Sequence, residues 1–150
     1  MKTVALIKSG SVSRGEVGDI IKIILGCANV GDQAVNAIKP THPLAIERAE
    51  VVHLTRDQAE RFYAEHKGRP YYEGLIESVT GPDGVVAMLL HGEDAIATWR
   101  KLAGTTDPAK ARENGEITIR ALYGVELPDN AVHGSDSPEA VEREQAIIWS

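Results

Sequence analysis

Short apolar runs alternating with segments of helical period constrain the fold of this chain more than any other feature of its sequence. Val4-Ala5-Leu6-Ile7 is a continuous apolar run. It ends at Lys8 and the flexible Ser9-Gly10-Ser11, so it reads as a buried strand that delivers a lysine to its own edge. From Glu16 onward, Val17, Ile20, Ile21, Ile24 and Leu25 recur at helical spacing, and Gly26 marks a stop. Residues 44–54 read as a second strand. Thr55, with Arg56, Asp57 and Gln58 behind it, is a capping-box-like start for a helix reaching about His66. Residues 71–79 add another helix. After the turn Gly81-Pro82-Asp83-Gly84, residues 85–90 read as a third buried strand, and 92–103 as a helix with Ile96, Trp99 and Leu102 or Ala103 inward. Residues 107–116 are polar and irregular, 117–123 alternate as a fourth strand, and a final helix begins near Pro138. Strands and helices in this order imply an α/β or α+β sandwich with helices covering one sheet, and a right-handed first crossover if its strands are parallel.

A length of 150 residues with 43% hydrophobic content fits a single domain over 1–150, burying roughly two thirds of its unfolded surface. The apolar runs are far too short to cross a bilayer, and Met1-Lys2-Thr3 leads into a strand rather than a signal peptide. A lone Cys27 can form no internal disulfide and fits a reducing compartment, so a cytoplasmic location is expected. The formal charge of −6 argues against a nucleic-acid surface, because such binding draws on lysines and arginines that neutralise phosphates. A small anionic substrate needs only a few basic residues gathered locally. His42, His53, His66, His91 and His133 lack the spacing of zinc ligands, so no structural metal is expected. The chain has neither a G-x-x-x-x-G-K-[ST] loop nor a G-x-G-x-x-G fingerprint, so side chains would have to hold any nucleotide. Residues 27–43 carry little pattern: Gly31-Asp32 breaks it, 33–39 could make a short helix, and 39–43 must be loop.

Chemistry concentrates in Asn130-Ala131-Val132-His133-Gly134-Ser135-Asp136-Ser137-Pro138-Glu139, where a histidine sits in a loop just ahead of a helix start. Ser137 suits the N-cap, Pro138 the first helical position, and Glu139 the positive end of the helix dipole. On that helix Glu144 shares a face with Ala140, Ile147 and Ile148. A carboxylate on an apolar stripe needs a partner. His133 is a candidate, since a carboxylate that accepts one ring N–H leaves the other nitrogen free to attack. Read locally, the same residues favour a plain helix cap with an ordinary loop histidine before it. Arg100 can be the solvated edge of its helix, Arg120 an exposed strand residue, and Tyr63 a core aromatic with a wet hydroxyl.

The 130–139 segment resembles the N-x-x-H-G-S-D-S active-site signature of nucleoside diphosphate kinases. The chain also resembles that family at Lys8-x-x-x-Val12-x-Arg14-Gly15, at 63–72 with Tyr63, Lys67, Arg69 and Pro70, at Val85-Val86-Ala87-Met88, at 100–108, and at Ile117-Thr118-Ile119-Arg120, in the family's order. The resemblance implies a ferredoxin-like four-stranded sheet covered by helices. It implies ping-pong transfer of the γ-phosphate of a nucleoside triphosphate to a diphosphate through phosphorylated His133. Ser135 and Glu144 would orient the histidine; Lys8, Tyr63, Arg100, Thr106, Arg120 and Asn130 would line the phosphate and sugar site. Tyr71 would stack on the base, with Leu75 and Leu127 beside it. Mg²⁺ would bridge the nucleotide phosphates without an all-protein cage, and the chain would form a homo-oligomer. The longer tail that helps hold some family hexamers together is missing behind Trp149-Ser150, which leaves tetramer and hexamer both open.

Two departures stand out. The family's Lys-Pro-Asp-Gly is Lys8-Ser9-Gly10-Ser11 here, and loss of the proline's fixed φ should loosen that turn and lower activity. The stretch 27–43 is longer than the usual family turn by roughly a dozen residues, unusual for a compact domain. The alternative they motivate is a catalytically weakened nucleotide-binding or scaffolding member of the same family.

Overall fold

The computed structural model describes residues 1–26 and 37–150. Cys27, most of the 27–43 stretch and most of the short helix read at 33–39 lie outside them. β1 (Lys2–Ile7) and β3 (Val85–His91) pair antiparallel at the centre of one sheet. β2 (Ala45–Val52) adds to the free edge of β3 and β4 (Val132–Gly134) to that of β1, giving the order β2-β3-β1-β4 with each neighbouring pair antiparallel. β1 and β2 therefore run the same way with β3 between them, so no crossover joins parallel neighbours. This is the ferredoxin-like split β-α-β arrangement.

Because side chains alternate along a strand, an unbroken apolar run serves two faces. Ala5 and Ile7 join Ile20, Ile23, Met88 and Trp99 on one side of the sheet. Val4 and Leu6 join Phe62, Ile76, Val79 and Ile147 on the other. All four of these β1 side chains are fully buried, each large one contributing roughly 2 kcal/mol. The first face is covered by α2 (Val17–Ile24) and α5 (Ala95–Ala103), the second by α3 (Arg56–Phe62), α4 (Tyr72–Val79) and α8 (Pro138–Ile148). The Thr55 capping box is complete: Gln58 N–H donates to Thr55 Oγ1 (3.1 Å), and Thr55 N–H to Gln58 Oε1 (2.9 Å). Ser137 likewise accepts from Ala140 N–H (3.1 Å) at the start of α8. Among the described residues no helix is long and apolar enough to cross a membrane.

Several local expectations are overturned. Residues 9–11 are not a loose turn but open the short helix α1 (Ser9–Ser13), with Ser9 and Ser11 buried. The helix expected to reach His66 breaks at Tyr63 (φ −104°, ψ 25°) into a single 3₁₀ turn, Ala64–His66. Asp94 adopts the left-handed conformation (φ 47°), so α5 starts at Ala95 rather than 92. The irregular 107–116 stretch holds α6 (Pro108–Glu113), since Asp107 caps Ala109 N–H and Pro108 takes the first turn. The expected fourth strand at 117–123 is instead α7 (Ile119–Tyr123): the Thr118 hydroxyl accepts from Ala121 N–H, and Ile117 stays exposed. The actual fourth strand is β4, which carries the histidine that the sequence had placed in a loop.

Candidate active site

His133 sits at the middle of β4, opposite Leu6 of β1. From the core, Trp99 Nε1 donates to the His133 carbonyl (3.0 Å). A Cβ on Gly134 would come within 2.6 Å of that indole, so glycine is what allows α5 to grip the strand here. Just upstream, Ala131 has φ 73°, and Val132 N–H donates to Asn130 O (2.9 Å) in a tight turn. That backbone is strained by roughly 1–3 kcal/mol.

On α8, Glu144 is only 3% exposed. Its Oε1 accepts from Ser135 Oγ and lies at 2.9 Å from both that hydroxyl and His133 Nε2. A carboxylate only accepts, so Nε2 carries the ring proton and Nδ1 is left bare. Among the described residues no hydrogen bond reaches Nδ1. Burial holds the imidazole below its ordinary pKa against the opposing pull of Glu144, and nearby Lys8 and Arg120 lower it further. The ring is therefore neutral at pH 7. Phe62 packs edge-on against it, centroids 4.7 Å apart.

Cations gather opposite. Lys8 leaves the end of β1 buried, its Nζ donating to Pro128 O (3.2 Å). Burial, aided by Arg120 and opposed by Asp129, pushes its pKa down to about 7. Arg120 on α7 donates to Gly104 O (2.8 Å) and Val132 O (3.0 Å), while its buried Nε has no partner among the described residues. Burial and Arg100 push it down to about 10. Arg100 reaches from α5 to Gly134 O (3.3 Å). Thr106 is presented by a loop that Glu116 fixes through Thr105 N–H (2.9 Å), and the Thr106 carbonyl accepts from Asn130 Nδ2 (2.9 Å). Among the described residues the buried Asn130 Oδ1 has no partner.

These groups open onto one cavity of about 690 Å³, lined by Lys8, Tyr63, Tyr71, Leu75, Arg100, Thr106, Arg120, Leu127, Asn130, His133 and Glu144. Every site residue read from the sequence is among them except Ser135, which stands fully buried behind Glu144. The mouth is aromatic and apolar. Tyr71 is half exposed with its hydroxyl 3.0 Å from His66 Nδ1, and Leu127 is similarly open. Tyr63 is buried, and burial raises its phenol well above the ordinary range, so it stays a neutral donor.

Sequence reasoning missed Phe62, His66, Pro128 and Arg143, all of which line this cavity. Arg143 donates to Phe62 O (3.2 Å) and sits 3.8 Å from Glu144 Oε2, tying α8 to α3 beside the histidine. Nothing in the local pattern separates these residues from ordinary core or surface positions. The altered turn does not loosen Lys8: Ser9 Oγ accepts from Gly81 N–H (3.1 Å) and α1 follows directly. Among the described residues, the ligating atoms of His42, Glu93 and Asp94 lie within 4.8 Å of one another, a proximity across the sheet end that spacing along the chain could not reveal. None of the three lines the cavity.

The sequence pattern of the nucleoside diphosphate kinase family matches residues 27–150. The chain is 38% identical to the nucleoside diphosphate kinase of Carboxydothermus hydrogenoformans, covering 99% of this chain and 87% of that protein. It is 42% identical to that of Rhodococcus opacus, covering 97% and 92%. Its fold is similar to the solved Aquifex aeolicus nucleoside diphosphate kinase, with a TM-score of 0.81 at 31% identity over 99% of this chain and 94% of that one. It is also similar to the Halobacterium salinarum nucleoside diphosphate kinase in complex with CDP, with a TM-score of 0.78 at 31% identity over 98% and 86%. Identity of this extent along nearly the whole length, on the same fold, leaves one assignment: the chain belongs to the nucleoside diphosphate kinase family.

Proposed function

We propose that His133 carries the phosphate in the nucleoside diphosphate kinase reaction that this chain catalyses. The observation that carries this reading is the asymmetry of the ring. Nε2 is bound to Glu144, while Nδ1 is free in a cavity that also presents Lys8, Arg100 and Arg120. Neutral His133 attacks the γ-phosphorus of a nucleoside triphosphate. The N–P bond forms as the bond to the bridging oxygen breaks, and the electron pair leaves with the diphosphate. Positive charge then appears on the ring, where Glu144 accepts the Nε2 proton in a hydrogen bond and Ser135 holds Glu144 in place. A second diphosphate takes the group by the reverse path, which gives ping-pong kinetics.

Transfer of this kind spreads negative charge over the phosphoryl oxygens, and preorganised cations stabilise it. Arg100 and Arg120 supply planar donors, Lys8 a point charge, and Thr106 a neutral hydroxyl. The unpartnered Asn130 Oδ1 is the acceptor offered to a sugar hydroxyl. Tyr71 gives the base a π-face, with Leu75 and Leu127 as apolar neighbours, so any base is tolerated. Mg²⁺ would supply charge neutralisation on the nucleotide phosphates. Among the described residues Asp136 is the lining carboxylate with no side-chain partner, and no group of ligands in the cavity could cage an ion alone. This fits a metal that arrives on the nucleotide.

The test is phosphorylation by γ-labelled ATP followed by chase with a diphosphate. Wild type should take up acid-labile label and release it to the acceptor; equal labelling of His133→Ala would refute the assignment. A purely nucleotide-binding or scaffolding member would give no turnover in a coupled assay and a catalytically weakened one little, and the tight placement of Lys8 supports the active reading instead. We also propose that residues 1–150 act as one domain bearing the insertion at about 27–43. The homo-oligomer, tetramer or hexamer, is likewise a proposal, supported by the exposed outer strand β2 and decided by solution mass.

A further inference from the structure

Residues 125–130 bring Leu127, Pro128 and Asn130 to the cavity, yet the side chains of Val125 and Leu127 are half exposed, and Arg112 holds only the start of the loop, through Gly124 O (2.8 Å) and Val125 O (2.9 Å). Asp129 anchors the end that meets the cavity. Its carboxylate receives Arg14 Nη1 on Oδ2 (2.7 Å) and Nη2 on Oδ1 (3.2 Å). Arg14, at the end of α1, is itself held by Glu16 (3.2 Å), Ser11 Oγ (3.3 Å) and the Tyr123 carbonyl (3.4 Å). The same carboxylate lies flat against Gly10, where a Cβ would come within 2.4 Å of Oδ1. The Asp129 carbonyl accepts from Val125 N–H (2.9 Å) and closes the loop. Its two neighbours in the chain carry the contacts that matter for the site: Pro128 O accepts from Lys8 Nζ, and Asn130 Nδ2 donates to Thr106 O.

We propose that Arg14 and Asp129 are a positioning pair for the transfer reaction, joining the turn behind Lys8 to the loop that holds both the Lys8 ammonium and Asn130 in place. The proposal rests on the reading of Lys8 and Asn130 as nucleotide contacts. Two N–H donors on a planar fork fix direction as well as distance, which is what a turn without proline lacks, and Gly10 provides the room. Both side chains are about a third exposed, so the pair contributes little to global stability; its effect is on geometry. Asp129 also opposes the burial and the Arg120 charge that push Lys8 down to about 7. His133 is the remaining titratable group that Lys8 acts on.

The experiment measures kcat and KM against pH for Asp129→Asn, Arg14→Gln and the double variant, with Lys8→Ala as reference and thermal unfolding as the folding control. Each single variant should lose roughly 10- to 100-fold in kcat/KM for the diphosphate, as a small misplacement does. The double variant should lose no more than either single, because both remove the same contact. Asp129→Asn should also move the limb near pH 7 to lower pH, since the Lys8 ammonium loses its opposing charge. Gly10→Ala, whose methyl would meet Asp129 Oδ1 at 2.4 Å and Arg14 Nη1 at 3.0 Å, should impair the wild type but add little to the loss already present in an Asp129→Ala background. If the singles keep wild-type kcat/KM while Lys8→Ala is impaired, or if Gly10→Ala costs as much in the Asp129→Ala background as in the wild type, the pair has no positioning role. If Lys8→Ala is itself fully active, the reading of the site fails instead.

Discussion

Glu144→Gln tests the role given to His133 more directly than removing the histidine, because it keeps the shape and alters only what the carboxylate can accept. Glu144 Oε1 receives two donors, Ser135 Oγ and His133 Nε2, each at 2.9 Å. A glutamine cannot satisfy this without conflict. With its oxygen at that position, the NH₂ faces Arg143 Nη2, which lies 3.8 Å from Oε2. With the NH₂ there instead, it donates to Nε2 and drives the ring proton onto Nδ1, the nitrogen that must attack. A hydrogen bond to a charged group is worth roughly 1.5–3 kcal/mol, which at about 1.4 kcal/mol per decade is a loss of roughly 10- to 150-fold in kcat. KM should change far less, because Glu144 acts through the ring. The pH profile carries the sign. Glu144 opposes the burial that lowers the His133 pKa, so its loss leaves the ring neutral to still lower pH, and the acid limb should move down while kcat falls. A coupled assay between pH 5 and 9, beside unfolding curves, reads both. A kcat within twofold of wild type, or an acid limb that moves up, would refute the orientation argument.

Three other outcomes are expected. Lys8→Met should abolish most activity yet stabilise the fold. The unfolded chain binds a proton between pH 7 and 10.5 that folded wild type does not, so wild type loses stability as pH falls through that window and the variant's advantage, on the order of 5 kcal/mol below pH 7, vanishes toward pH 10.5; denaturant melts at pH 7 and 10 check it. Tyr71→Ala should weaken nucleotide affinity by roughly 1–3 kcal/mol with little change in kcat, measured by calorimetry with purine and pyrimidine diphosphates alike. Gly134→Ala places a methyl 2.6 Å from the Trp99 indole and should cost roughly 1–3 kcal/mol of stability, visible as a lower unfolding midpoint and a red-shifted tryptophan emission.

What could be read from the chain follows from what a local pattern reports. An unbroken run such as Val4-Ala5-Leu6-Ile7 reports burial on two faces, and β1 and β3 appear where such runs stand. Glu144 on an apolar stripe reports a need for a partner, and the partner is the histidine one strand upstream. Pattern fails where a pairing made elsewhere decides. Ile117-Thr118-Ile119-Arg120 alternates like a strand, but Thr118 can also cap, and without a neighbouring strand the cap wins. β4 is three residues between Asn130 and Ser135, too short to show any period, and exists because β1 offers it an edge. The convergence of Lys8, Arg100, Thr106, Arg120 and Asn130 on one cavity was legible only through family resemblance, since they come from separate parts of the chain and, beyond Lys8 at its strand end, none has a local signature. Phe62 and Arg143 had not even that signal.

The electrostatics of the free site bear on why its parts belong together. Lys8 and Arg120 are buried near one another with the Arg100 charge beside them, and burial, then neighbouring charge, pushes Lys8 and Arg120 toward their neutral forms. Like charges held in a low-dielectric pocket are unfavourable unless an anion completes the set. Burial depresses the His133 pKa and the same field adds to it, so the cations that would attract a polyphosphate also help keep the nucleophile uncharged before it arrives. Binding reverses the sign. Phosphate oxygens among the cations favour the Lys8 ammonium, and they remove the repulsion that would oppose positive charge on the ring once the N–P bond forms. Glu144, already bound to Nε2, then stabilises the charged ring with no movement of its own. In the reading proposed above, one fixed arrangement therefore serves two successive needs, a bare nitrogen first and a charged ring second, and the arrival of the substrate switches between them.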